Sequence, residues 1–148
     1  MIIVRHLMTI LEDMKSDADC LLNSYQYNDH PTANLVLDKK MEDITAVLFQ
    51  ITDFTITTNR LTVKEEANIN ITFLQKETKL DAQGTEQDTM VDNTKDVAID
   101  FIKRVMDDST LKILDDTIQC KSVYLHSDSN RTGVNVQLRI TEKQGTCL

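Results

Sequence analysis

Residues 44–74, ITAVLFQITDFTITTNRLTVKEEANINITFL, constrain the fold more than any other stretch of this chain. They hold its densest β-branched and aromatic content and read as one long β-hairpin turning at Thr58, Asn59 and Arg60. In the first half the inward parity reads as odd at Val47, Phe49 and Ile51, then as even at Phe54 and Ile56. A strand alternates with period two, so this change requires a bulge or bend near Thr52 and Asp53. Ala46 and Leu48 are apolar as well, so the first half is expected to be buried on both faces. In the returning half, Leu61, Val63, Ile69, Ile71 and Phe73 share one parity, and Asn68, Asn70 and Thr72 take the other. That is a strand with one wet face. Its charged middle, Lys64, Glu65 and Glu66, is too polar to be wholly core and reads as an exposed or bulged part of one long strand.

The flanking segments supply helices and a closing hairpin. Leu7, Met8, Leu11, Met14, Ala18, Leu21, Leu22 and Tyr25 recur at helical spacing, which predicts an amphipathic helix over about 4–27, ended before Pro31. A short strand is expected at 34–37. The polar run 75–87 reads as a loop, either a binding segment or one ordered only on binding. Met90, Val91, Thr94, Val97, Ala98, Phe101, Ile102, Val105 and Met106 predict a second helix over about 88–107, with Thr85 and Asp88 as a candidate capping box. A short strand or turn follows at 111–114. Strict alternation at Val134, Val136, Leu138 and Ile140 predicts an antiparallel hairpin of 118–125 with 134–140, joined by turn residues up to Gly133. The tail, EKQGTCL, reads as loose or as an interface segment. The expected fold is a single α+β domain over 1–148: a mixed, mainly antiparallel sheet with a long bent hairpin, flanked by two amphipathic helices.

Composition narrows function mainly by exclusion. The 148 residues suffice for a real core, and 41% hydrophobic with 27% charged residues is ordinary for a globular chain. No apolar run approaches the ~20 residues of a membrane span, and the opening MIIVRHLM is too short and too interrupted for a signal peptide. The expected setting is a cytoplasm, or delivery without such a signal. A net charge of -8 disfavours phosphate binding but suits a surface that nucleic acid passes without sticking.

Catalytic signals are sparse. His6, His30 and His126 lack metal-ligand spacing, and three glycines, at 84, 133 and 145, allow no phosphate-cradling loop. Cys20, Cys120 and Cys147 form no CxxC pair and read as free thiols. Cys120 with His126 as a nucleophile and base has no further support. Asp107, Asp108, Asp115 and Asp116 read as solvated turns rather than as a cation site, and residues 128–130 lack the remaining positions of a calcium loop. No catalytic residue, cofactor or metal is assigned, and the chain is not expected to be an enzyme.

The order of elements resembles that of the tail terminator proteins of long-tailed bacteriophages and related neck proteins. The resemblance is carried by ITAVLFQITDFTITT with ANINITFL, by the helix VDNTKDVAIDFIKRVMDD, and by SVYLHSDSNRTGVNVQLRIT near the C-terminus. It covers nearly the whole chain in pattern, without an invariant motif. It implies a structural virion protein at the head–tail junction, assembled as a homo-oligomeric ring, commonly a hexamer. Such a ring caps the tail tube, joins it to the portal or connector, and lets genomic DNA through its lumen unbound. In that setting Lys64, Glu65, Glu66, Leu80, Gln83 and Glu86 are the candidate interface residues. Charge reversal at Glu65 and Glu66 is then expected to weaken assembly and leave the subunit folded. The alternative is a small cytoplasmic α+β interaction or adaptor module that dimerises and has no catalytic activity.

Overall fold

A fifteen-residue strand forms the spine of the molecule in the computed structural model, which describes residues 2–28, 44–76, 84–125, 131–144 and 146–147. The elements in chain order are α1 (Ile2–Ser16), β1 (Leu22–Asn28), β2 (Ile44–Phe49), β3 (Phe54–Thr58), β4 (Thr62–Lys76), α2 (Gly84–Asp107), β5 (Leu111–Ile113), β6 (Gln119–Leu125), β7 (Arg131–Glu142) and β8 (Thr146–Cys147). The spine is β4. On one side it pairs antiparallel with β7 over eleven rungs, from Glu66 opposite Thr141 to Lys76 opposite Arg131. On the other it carries β2 and then β3. β1 lies parallel to β2 and is the parallel member of an otherwise antiparallel sheet. β5 and β6 share the far side of β7.

Both helices pack on one face. α1 buries Ile3, Leu7, Ile10, Leu11 and Met14, one stripe at helical spacing. α2 buries Met90, Thr94, Val97, Ala98, Phe101 and Val105. These stripes meet Ala67, Ile69, Ile71 and Phe73 of β4 and Val134, Val136, Leu138 and Ile140 of β7 in one core. The Phe73 and Phe101 rings lie 5.7 Å apart and tilted, a favourable aromatic arrangement. Arg104 fastens the helices together: its guanidinium reaches Asp17 beyond the end of α1 at 2.7 Å and Asp100 at 3.2 Å.

The first helix is shorter than its periodicity predicts. Leu21, Leu22 and Tyr25 fit the helical spacing, yet α1 stops at Ser16 and Leu22 opens a strand. The Asp17 carboxylate accepts the Asp19 N–H at 3.0 Å, and the Asp17 carbonyl accepts that of Cys20 at 3.1 Å. This local turn competes with another helical turn, as short polar side chains do. The LNSYQYN that follows then favours a strand. At its other boundary α2 begins earlier than expected, at Gly84, so Thr85 and Asp88 lie inside it rather than capping it.

The bend between β2 and β3 is present, but not the change of face. From the Leu48–Ile71 rung to the Phe54–Ala67 rung, the bent side advances six residues and β4 four. The two extra residues form the bulge, and an even excess preserves parity. Ile44, Ala46 and Leu48 face the helices, and Phe54 and Ile56 continue on that side. Val47 and Phe49 point the other way, into a second cluster with Leu74, so β2 is buried on both faces. The expected odd inward parity at Val47 and Phe49 is therefore corrected, whereas Ile51, inside the bulge, does pack against the main core.

β4 runs through Lys64, Glu65 and Glu66 as the one long strand expected, half-buried there and without a bulge. Two further expectations change. Gly133, with Arg131 and Thr132, belongs to β7 rather than to a turn. The tail is not wholly loose, because Thr146 and Cys147 pair with Val63 and Thr62. The strand expected at 34–37, with His30, His126 and residues 127–130, lies outside the described residues.

Candidate functional site: a bent arm and the groove at its base

β3 and the first residues of β4 project past the layer that the helices cover. On the helix side of this arm Phe54 is 50% and Ile56 57% exposed, and at the tip Leu61 is 76% exposed. Apolar groups are common on surfaces; here three of them lie along one arm. β3 is FTITT, without a charge or a proline, and every residue of it is exposed. Among the described residues it pairs only with β4, so its other edge presents open backbone groups. Edge strands are ordinarily protected by charge, proline or a covering element; β3 has no charge or proline, and no other strand among the described residues pairs with this edge. The tip is well formed: the Asn59 side-chain oxygen accepts the Leu61 and Thr62 N–H groups at 2.9 and 2.8 Å.

The three charged residues in the middle of β4 separate by face. Lys64 and Glu66 lie on the side away from the helices, opposite Thr57 and Thr55. The Glu66 carboxylate stands 3.6 Å from the Arg139 guanidinium. Glu65 faces the helix side with Ile56 and meets Glu142, which is 5% exposed. The Glu142 carboxylate accepts the Glu65 N–H at 3.2 Å, and the Thr141 hydroxyl donates to the Glu65 carbonyl at 2.8 Å. These side chains extend the β4–β7 ladder beyond its last backbone rung. The Glu65 Oε2 atom is buried without a hydrogen-bond partner. Glu65→Gln is expected to stabilise the fold by about 1 kcal/mol, since a neutral amide costs less to bury unpaired than a carboxylate; thermal denaturation reads this directly. Of the remaining candidate interface residues, Glu86 sits half-buried in the first turn of α2, and Leu80 and Gln83 lie outside the described residues.

On the face opposite the helices, a groove of about 460 Å³ runs over β4 and β7 at the base of the arm. Its floor carries Asn68, Asn70, Gln137 and Arg139. One wall is the bulge from Phe49 to Asp53, and the other is the link from β5 to β6. Both walls attach at the same rung: the Asp53 carbonyl accepts the Asn68 N–H at 3.0 Å, and the Asp115 carboxylate accepts that of Arg139, the partner of Asn68, at 2.8 Å. Asn135 donates to Thr72 at 2.8 Å and accepts from Gln137 at 3.3 Å, so the floor amides brace one another. A second hollow of about 280 Å³ shares Thr52, Asp53 and Asn68 and adds Glu66.

Arg139 organises the charge here. Its backbone N–H, and then its guanidinium at 3.1 Å, hold the Asp115 carboxyl below the usual carboxylate range. A lowered pKa means that this carboxylate stabilises the fold fully above the ordinary value and ceases to as the pH falls through the lowered one. Asp115→Asn is therefore expected to flatten the acid limb of a melting-temperature profile below about pH 4, and to leave its shape near neutrality unchanged.

The candidates for chemistry do not converge. Asp108 accepts the N–H groups of Thr110 and Leu111 at 2.8 and 3.1 Å and lies 3.6 Å from His6, so it shapes the turn after α2. Asp115 belongs to the groove. Among the described residues no three histidines, cysteines or acids are grouped to hold a metal. Cys20 is half-buried, and burial pushes its thiol up, away from the nucleophilic form. Cys120 is exposed on β6.

The chain matches no protein-family model and no curated protein. No helix among the described residues is long and apolar enough to cross a membrane. Sequence reasoning selected the charged middle of β4 but missed the apolar patch, because Phe54 and Ile56 read as core. The alternation of Asn68 and Asn70 with Ile69 and Ile71 was the available signal for a wet face.

Proposed function

We propose that this chain is a structural virion protein of a bacteriophage, which assembles into a ring at the head–tail junction and terminates the tail tube or joins it to the head connector. The observation that carries this reading is the arm. Its apolar side chains are uncovered in the single subunit, and its charge-free edge strand is open. Burying an exposed Phe or Ile is favourable by about 1.5–3 kcal/mol, so a protein that keeps this patch gains by associating through it. The patch and open edge lie on one arm of the subunit, which suits contacts that run from copy to copy. The role within a virion is supported by the resemblance in element order and by the acidic balance of -8, which suits a lumen that DNA traverses unbound. A hexamer is the favoured stoichiometry, with tail-tube and portal or connector proteins as partners above and below.

Negative-stain imaging of the purified chain tests this reading. Annular particles of uniform diameter, alone or seated on the ends of tail tubes, are the expected result. Compact two-subunit particles would favour the dimeric interaction module instead, and isolated subunits that never join particles would contradict the ring.

A further inference from the structure

The tip of the arm and the groove at its base are complementary in charge and shape. Arg60 is exposed at the tip beside Leu61, and the ion pairs among the described residues do not include it. The groove and its adjoining hollow are lined by three acidic residues, Asp53, Glu66 and Asp115, and by one basic residue, Arg139. Arg139 is engaged with Asp115 at 3.1 Å and Glu66 at 3.6 Å, which leaves the exposed Asp53 as the carboxylate without a cation among those pairs. The floor is two strands wide, so the walls stand about three strand spacings apart, ~14 Å, and admit a hairpin end whose strands are ~5 Å apart. Phe49, 7% exposed, borders the groove on the same wall.

Tip and groove do not meet within one chain. Asp53 precedes β3 and Arg60 follows it, and a strand rising ~3.3 Å per residue holds them roughly 20 Å apart. We propose that the arm tip of one copy seats in the groove of a neighbouring copy, with Arg60 against Asp53 and Leu61 against Phe49. The two surfaces differ, so the contact is head-to-tail and passes from copy to copy until the rotation closes a ring. This assignment rests on the ring-forming reading and names which surface of the next subunit receives the arm.

The test uses the full chain and three variants, Arg60→Asp, Asp53→Arg and the double exchange, compared by sedimentation velocity over a concentration series. Each single variant is expected to raise the concentration needed for assembly about tenfold or more, and the double exchange to recover most of that loss. A benzoylphenylalanine at position 61 is expected to photo-cross-link to a neighbour's peptides containing residues 49–53 or 115–119. Assembly indifferent to both single variants, with cross-links elsewhere, overturns the tip-in-groove contact and leaves the ring standing. Cross-links at the groove within a closed dimer uphold the contact and overturn the ring. A wild-type chain that is monomeric at every concentration overturns both.

Discussion

Replacing Gly133 with alanine is expected to cost about 3 kcal/mol or more, which lowers the melting temperature of a domain this size by roughly 10 °C. Gly133 pairs with Leu74 in the centre of the sheet. A Cβ there would run into the Phe73 carbonyl oxygen and stand 2.9 Å from the Leu74 Cα. Both obstacles are backbone, so no side chain can swing aside. The β4–β7 ladder must separate locally, and the strain reaches Phe73, whose ring packs on Phe101 in the main core. Differential scanning calorimetry measures the effect. A variant melting within a degree or two of wild type would mean that the two strands do not approach this closely.

The second large effect is on assembly. Phe54→Thr combined with Ile56→Thr keeps good strand formers in β3 and removes its apolar side chains. Exposed positions away from packing tolerate substitution within about 0.5 kcal/mol, so the isolated subunit keeps its own stability and loses only what assembly adds. Both side chains are about half exposed, so losing their burial at each contact removes about 1.5–3 kcal/mol, roughly ten- to a hundredfold in dissociation constant. Glu65 and Glu66, treated alike in a sequence reading, should behave differently. Reversal at Glu66 acts on the groove through Arg139, whereas reversal at Glu65 acts on the fold, because its side-chain Oε2 is buried without a partner.

Much of the fold was legible because long, strongly periodic segments carry their own evidence. The stripe from Met90 to Val105 and the alternation from Val134 to Ile140 follow from spacing and parity, whereas the bend before Phe54 is present without the parity change that suggested it. The errors have physical causes. Leu21, Leu22 and Tyr25 match helical spacing by coincidence, and the turn set by the Asp17 carboxylate decides against the helix. Phe54 and Ile56 resemble core because apolarity marks what can be buried, whereas burial depends on how far a helix distant in sequence extends. Gly133 resembles a turn because glycine serves turns and close approaches alike. The groove was out of reach for another reason. Its residues come from four separate segments, around 50, 69, 117 and 138, and only the register of β4 against β7 brings Asn68 level with Arg139.

On the reading proposed above, the uncovered arm joins copies of this chain. Multi-angle light scattering of the wild type beside the Phe54→Thr/Ile56→Thr variant, at matched concentrations, tests it most directly. A wild type of one closed multi-subunit mass is expected, and a variant of single-subunit mass with an unchanged circular dichroism spectrum and a lower melting temperature, because assembly stabilises the folded subunit. Equal masses for the two proteins, whether both assembled or both monomeric, would contradict it.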